Sequence, residues 1–150
     1  MASKIPAILD ELAARLATVP GVAAVYSVLE GAPLPVVDDA DLPAIHLRLV
    51  SDEIESTQPT RAKKVAIQID VELFFLSSES SSLPAVAAAW IWEIRHALLA
   101  VAEDLPFNGL LRADPAAGID VQGASYHYPQ QLGDMASVRQ PLVLRLVETY

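Results

Sequence analysis

Cysteine is absent from this chain and positive charge is scarce, and each lack narrows the range of functions. Because none of the 150 residues is a cysteine, disulfide frameworks, thiolate metal sites and cysteine nucleophiles are excluded. Ten lysines and arginines stand against nineteen aspartates and glutamates, which gives a net charge of −9. A protein of this sign repels phosphate backbones as a whole, so it does not fit a nucleic-acid binder held by counterion release. The charge is still compatible with a protein past which DNA merely moves.

Charged residues of both signs are also few. They make up 19% of the chain, whereas hydrophobic residues make up 53%, and typical soluble domains carry about 25% charged residues. A chain of this length can build one ordinary core, so we expect a single domain over residues 1–150. Apolar surface that remains after folding is commonly covered by self-association, so the composition also favours an oligomer.

The chain lacks the patterns of a leader peptide and of a membrane span. Asp10 and Glu11 lie close to its start, which fits neither a secretory signal nor an acid-poor transit peptide. Residues 83–102 are long and apolar, but Glu93 and Arg95 lie near their middle, where charge is costly in hydrocarbon. We therefore expect a soluble, cytoplasmically made protein with no membrane partner.

The most regular pattern is the alternation over residues 64–76. The apolar set points to one side and comprises Val65, Ile67, Ile69, Val71, Leu73 and Phe75. The intervening residues, such as Gln68, Asp70 and Glu72, point to the other side, which predicts a β-strand with one core face and one polar face. Since this strand would span roughly 40 Å, part of it is expected to project beyond the sheet or to pair with another chain.

The other elements predict an α+β fold. The spacing of aliphatic residues indicates an amphipathic helix over residues 3–18, with Ser3 as its N-cap. Four further strands are predicted, at residues 22–28, 45–50, 119–128 and 138–148. With a second helix that begins near Pro84, the prediction is a mostly antiparallel sheet with two main helices packed on one face.

The second helix is apolar on both sides. One side carries Trp90, Ile91 and Ile94 and is expected to face the sheet. The opposite side carries several alanines together with Trp92, His96 and Leu99, and a helix that is apolar nearly all round is normally buried nearly all round. These last three residues are therefore predicted to lie in a subunit interface, although residues 105–128 of the same chain could cover them instead.

An acidic, proline-rich connection is predicted over residues 30–44. Asp38, Asp39 and Asp41 cluster there, but they lack the ligand spacing and the turn glycine of a calcium loop, so we expect no metal. A second connection, over residues 51–64, separates its charges, with acids first and bases last: Asp52, Glu53 and Glu55, then Arg61, Lys63 and Lys64. This layout suits head-to-tail docking on a neighbouring copy, and a solvated loop without a partner explains it equally well.

No catalytic motif is recognisable. The three histidines, His46, His96 and His127, fall on three different predicted elements and have no metal-ligand spacing. Asp70 and Glu72 share a strand face, as an acid/base pair would. Arg48 and Arg145 are expected to lie across from these carboxylates, so cross-strand ion pairing is the favoured interpretation. We expect no enzyme activity and no cofactor.

The order of elements resembles a known family. Val19-Pro20-Gly21-Val22 follows the first helix, and Leu42-Pro43-Ala44-Ile45 leads from the proline-rich loop into a strand. The long strand, the second helix, an irregular segment and a terminal strand follow. This layout resembles the tail terminator, or tail completion, proteins of long-tailed bacteriophages and prophages, over nearly the whole chain.

The resemblance implies a ring, expected to be a hexamer, that caps the tail tube, halts its polymerisation and meets the head connector. It implies a protein of the virion tail that is present in the host cytoplasm during assembly and that has no catalytic residues. DNA would pass without specific binding, and acids would line the opening: Asp38, Asp39, Asp41, Asp52, Glu53 and Glu55. The alternatives are a neck or head-completion protein and, from another class, a small α+β ligand-binding domain or enzyme.

Overall fold

The computed structural model describes residues 3–27, 42–55, 61–77, 82–99, 118–129 and 134–150. Within these ranges two helices and six strands follow in the order α1 (Ile5–Leu16), β1 (Ala24–Ser27), β2 (Ala44–Ile54), β3 (Ala62–Leu76), α2 (Leu83–Leu99), β4 (Ile119–Val121), β5 (Ser125–His127) and β6 (Met135–Thr149). The predicted α+β class is confirmed.

The six strands form one sheet in the order β1-β2-β3-β6-β4, and β5 also pairs with β6. Among the strands of the described residues, β1 and β2 run parallel, and the other pairs are antiparallel. The predicted strand at residues 119–128 is two short strands, β4 and β5, separated by residues 122–124. The mostly antiparallel sheet with two helices on one face is therefore as predicted.

The strand with regular alternation lies at the centre of this sheet. β3 pairs with β6 along its whole length, from Ala62 opposite Thr149 to Leu76 opposite Met135. Its predicted core residues are buried, and its polar face is turned away from the helices. The unusual length of β3 is thus matched within the chain by β6, which has 15 residues as well.

Half of the predicted loop over residues 51–64 is strand, so its predicted bounds were wrong. β2 continues to Ile54 and β3 begins at Ala62, with Ile54 opposite Val65 in the antiparallel register. Residues 51–55 are all exposed, so this end of the strand carries no apolar alternation that would reveal it in the sequence. Residues 56–60 lie outside the described ranges.

Both helices bury aliphatic side chains against the sheet. Ile8, Leu9, Leu12 and Leu16 of α1 are buried, as are Leu83, Ala87, Ile91, Ile94 and Leu98 of α2. Each large aliphatic side chain that is fully buried contributes about 1.5–3 kcal/mol. The sequence gives α1 its amphipathic spacing, so this burial follows directly from the pattern.

The start of α1 is tied to the last strand. Ser3 Oγ donates a hydrogen bond to Glu148 Oε1 at 2.7 Å and accepts one from the Ile5 amide at 3.1 Å. The residue at the N-cap position itself is Lys4, whose amide also donates to Glu148 Oε1. Ser3 was predicted as the N-cap, and it instead acts from one residue earlier by linking the helix start to β6.

Gly21 shapes the turn after α1. Its φ is +86°, a left-handed conformation that glycine adopts without steric penalty. A Cβ atom at this position would lie 3.2 Å from Cη2 of Trp90. Glycine therefore permits both the backbone turn and the close approach of α2.

Candidate functional site

The candidate site begins with the side of α2 that faces away from the sheet. We call this surface the outer face of α2, and its exposed members are Pro84, Ala85, Val86, Ala88, Ala89, Trp92, His96 and Leu99. Trp92 is 60% exposed and Leu99 is 42% exposed. Because Ile91 and Ile94 occupy the buried side, helical spacing turns Trp92 outward. The described part of the chain, which includes residues 118–128, leaves the tryptophan uncovered.

Trp92 and His96 are in direct contact. Their rings stack with centroids 4.9 Å apart and planes 8° from parallel. The pair is one helical turn apart, so α2 itself orients both rings. Trp92, His96 and Leu99 therefore lie on one exposed face as the spacing indicates, and their role in a subunit interface stays a prediction.

Trp90 extends this apolar surface towards the sheet edge. It is half-buried and lies near Phe75, with ring centroids 6.4 Å apart. Two hollows adjoin it, one of about 310 Å³ bounded by Leu42 and Leu76 and one of about 270 Å³ bounded by Pro20. The sequence assigned Trp90 entirely to the sheet side, so it did not reveal these hollows.

The predicted basic interface residues lie at a different place. Arg61 and Lys64 are exposed at the beginning of β3, and Lys63 lies between them. Trp90 of α2 approaches Phe75 near the other end of the sheet, and Arg95, one turn later, reaches Gln140, which lies opposite Val71 nearer the middle. Lys63 and Phe75 are twelve positions apart on one strand, which corresponds to roughly 40 Å. The six predicted interface residues therefore form two groups, three at the beginning of β3 and three on α2.

The predicted channel-facing acids can be placed only in part. Asp38, Asp39 and Asp41 lie outside the described residues. Asp52, Glu53 and Glu55 are exposed at the end of β2. Asp52 and Glu53 point to opposite faces of the sheet because they are adjacent in a strand, so the acids do not form one continuous surface.

Glu55 and Arg145 form an ion pair, with 3.5 Å between Oε1 and Nε. This contact corrects the expectation that Arg145 faces Asp70 or Glu72. Arg139 holds that place instead, with nitrogen–oxygen distances of 3.8 Å to Asp70 and 3.9 Å to Glu72. The reason is the register, since Arg139 lies directly opposite Glu72.

Arg139 and Glu72 also border a cleft on the helix-free face of the sheet. The cleft has a volume of about 390 Å³, and Ser125 and His127 of β5 form another part of its wall. Asp70 and Glu72 both contact Arg139, so they are cross-strand ion-pair partners, although Arg139 replaces one of the two predicted arginines. Arg48 lies opposite Asp70 in the register, as expected.

His46 is buried on the same helix-free face. It is only 4% exposed, and its ring lies between Tyr26 and Phe74 at centroid distances of 5.4 and 4.9 Å. Within the described part of the chain, neither ring nitrogen has a hydrogen-bond partner. Burial lowers the pKa of His46, an effect that Glu72 opposes and Arg48 reinforces. The alternation predicts the outward direction of this side chain but not its burial.

The described residues also show whether the chain could hold a metal ion or cross a membrane with a helix. Among the described residues, no group of three or more histidines, aspartates or glutamates is arranged to hold a metal ion. Neither α1 nor α2, the helices within the described ranges, has the length and apolar character needed to cross a membrane.

No family model matches the chain, and no curated protein matches it. Among solved structures, a chain in the virion of a native gene transfer agent particle is similar, with a TM-score of 0.40 and 15% sequence identity. The similarity covers 91% of this chain and 84% of that chain. At this level, it does not establish a shared function.

Proposed function

We propose that this protein is a phage tail terminator, a structural protein of the virion tail. Copies of it would form a ring, taken as a hexamer, that caps the tail tube, stops its polymerisation and meets the head connector. The order of elements resembles that family, and the α+β fold is the one that the resemblance implies. No catalytic step and no cofactor is part of this proposal.

The observation that carries the proposal is the outer face of α2. An exposed tryptophan presents a large ring surface to water, and aromatic side chains bury about 150–250 Å² when they are covered. Trp92 is 60% exposed among residues that are nearly all apolar. Apolar patches of this kind mark protein–protein contacts, so this face is assigned to another subunit or to the tube.

The separation of the two surfaces supports a ring over a two-fold dimer. The outer face of α2 and the bases Arg61 and Lys64, at the beginning of β3, lie on different elements of the subunit. Association through two different surfaces on each subunit is head-to-tail, and it gives a closed ring when the rotation closes. This subunit offers two such surfaces.

The sign of the charge supports free passage of DNA through the ring. Every lysine or arginine that displaces counterions from DNA adds affinity and would slow its movement. The chain has a net charge of −9, and Asp52, Glu53 and Glu55 are exposed at one end of the sheet. Repulsion by such acids would keep a duplex away from the wall.

The proposal is tested by native mass spectrometry combined with tube polymerisation. The expected results are a ring, expected at six times the mass of one chain, and tail tubes that stop growing when purified protein is added. Electron microscopy of the tubes should show protein at one end only. A protein that stays monomeric at every concentration and leaves tube length unchanged would overturn the proposal.

A further inference from the structure

Gln140 is a polar side chain on the buried, helix-facing side of β6. It is fully buried, and its neighbours on that side of the strand, Val138 and Leu142, are fully buried as well. Burial of an amide is costly unless its polar atoms are hydrogen-bonded. The partners of Gln140 come from β6 itself, from α2 and from the segment that joins β4 to β5.

The segment that joins β4 to β5 has an incomplete pairing with β6. The register of β4 continues to Gln122, which lies opposite Pro141, and the Gln122 amide donates to Pro141 O at 3.1 Å. In an antiparallel pair of this kind, the opposite residue returns a hydrogen bond from its own amide. Proline has no N–H group, so Pro141 cannot return a hydrogen bond to Gln122 O.

The side chain of Gln140 takes the place of this missing amide. Its Nε2 donates to Gln122 O at 2.6 Å and to Pro141 O at 2.9 Å. A side chain of β6 therefore completes the pairing that the next residue of the same strand interrupts.

Arg95 of α2 reaches the same place from the helix. Its Nε donates to Gln140 Oε1 at 2.7 Å, and its Nη2 donates to Gln122 O at 3.4 Å. Hydrogen bonds from a guanidinium are charge-assisted, and the planar group gives them a defined direction. One buried glutamine thus links the helix, β6 and the backbone of Gln122.

The remainder of the buried side of α2 is aliphatic, and Ile91, Ile94 and Leu98 belong to it. Burial of such side chains stabilises the packing of the helix on the sheet, but the hydrophobic effect is non-directional. It therefore discriminates poorly between small rotations or shifts of the helix. A buried polar contact can select one register, as a buried asparagine does in coiled coils.

Arg95 adjoins the outer face of α2. Trp92 lies three positions before it and Leu99 four positions after it, so both are its neighbours on the helix surface. We infer that Arg95 and Gln140 are positioning residues, which fix the rotation of α2 on the sheet and so hold Trp92 and Leu99 in the orientation that a partner subunit binds. This inference rests on the proposed function, since that function assigns the outer face of α2 to assembly.

Two matched substitutions test this role. Arg95→Met removes the guanidinium and keeps an unbranched apolar stem, and Gln140→Met keeps the length of the side chain without its polar atoms. Each should weaken ring formation about ten-fold, because each removes the charge-assisted hydrogen bond. Gln122→Ala is the control and should form rings as wild type does, since Gln122 contributes backbone atoms to the contact. Rings of Arg95→Met at the wild-type level would overturn the inference.

The measurements are made where each variant is still folded, as shown by its circular-dichroism spectrum. A purely structural role would lower the free energy of unfolding and leave assembly of the folded protein unchanged, and that result would overturn the inference. Because Arg95 and Gln140 act through one contact, the double variant should assemble no more weakly than the weaker single variant. Losses of assembly that add in full would show that the two residues act separately, contrary to the inference.

Hydrogen exchange tests the same contact in the unassembled subunit. In Arg95→Met, the amide of Gln122 and the amides in the last turns of α2 should exchange about ten-fold faster than in wild type. The amides of α1 serve as an internal control and should exchange at the wild-type rate. Unchanged exchange in both regions would show that Arg95 does not hold α2, which contradicts the inference.

The two proposals fail differently. Wild-type rings that cap tubes, together with Arg95→Met rings at the same level, leave the tail terminator function standing and remove the positioning role. Wild-type protein that forms no ring and caps no tube overturns both.

Discussion

The two helices cover the same face of the sheet but present different surfaces outward. On α1, Asp10 is exposed, and Glu11 and Arg15 form an ion pair at 3.3 Å. On α2, the exposed positions include Trp92 and Leu99 and almost no charge. Since their inner sides are buried alike, the outer side distinguishes them. α1 is suited to water, and α2 is suited to a protein surface.

The largest loss of stability is expected from substitutions on the buried sides of the helices, where α1 and α2 are alike. Leu12 of α1 and Ile94 of α2 are both fully buried, and truncation of a buried leucine or isoleucine to alanine removes about 2–5 kcal/mol of stability. Leu12→Ala and Ile94→Ala should each lower the free energy of unfolding by this amount in urea titrations. Asp10→Ala, on the outer side of α1, serves as control and should change it by less than about 0.5 kcal/mol. An unchanged value for either core variant would remove that helix from the core.

The next largest effect is a loss of assembly, expected from a substitution on the outer face of α2, where the two helices differ. Trp92→Glu should abolish assembly because it places a charge in the surface assigned to a partner, yet leave the free energy of unfolding nearly unchanged, since the side chain is 60% exposed. Sedimentation measures the assembly, and urea titration measures the stability. Tyr128→Glu replaces another exposed aromatic residue, which is not part of α2, and should assemble normally. If both variants assemble like wild type, the outer face of α2 is ordinary surface.

A smaller loss of assembly is expected from substitution of the bases at the beginning of β3. Replacement of Arg61, Lys63 and Lys64 by serine should weaken assembly about ten-fold, and added salt should weaken the wild-type protein in the same direction. The Arg61 carbonyl still accepts from the Tyr150 amide in this variant because that contact is between backbone atoms. Lys64→Arg keeps the charge and should assemble normally. A large loss of monomer stability would instead show that these bases act within their own chain.

The sequence reveals elements where burial is one-sided. The alternation of β3 and the spacing of α1 predict both elements because each has one buried side. The end of β2 escapes prediction because Ser51, Asp52 and Glu53 are all exposed, on both faces of the sheet, and the strand there is defined by its pairing with β3. Backbone pairing leaves no trace in the order of side chains.

In the candidate site too, the sequence predicts positions that follow from local spacing and misses those that depend on long-range pairing. Helical spacing places Trp92, His96 and Leu99 on one side of α2 without knowledge of the rest of the chain. The ion-pair partner of Glu72 could not be predicted in this way. Arg139 is its partner because the register between β3 and β6 places the two residues opposite each other. That register depends on where β6 begins, and the sequence predicted its start at residue 138, three positions later than Met135. Long-range pairing is therefore the step at which the sequence prediction fails.

The smallest expected effect is a pH dependence of the free energy of unfolding that comes from His46. This residue is buried on the sheet face that neither helix covers. Because burial lowers the pKa of His46 below its ordinary value of 6.5, the unfolded chain binds the proton more readily than the folded one. The stability from the neutral ring is complete above about pH 6.5 and is lost as the pH falls towards the lower folded pKa. Urea titrations should therefore show a decline in the free energy of unfolding between pH 7 and pH 5.5.

His46→Phe keeps an aromatic ring beside Tyr26 and Phe74 and removes two nitrogens without described partners, so it should reduce this decline. His96→Gln, a change at an exposed histidine, should leave it as in wild type, and an equal decline in all three proteins would show that His46 is not the group responsible.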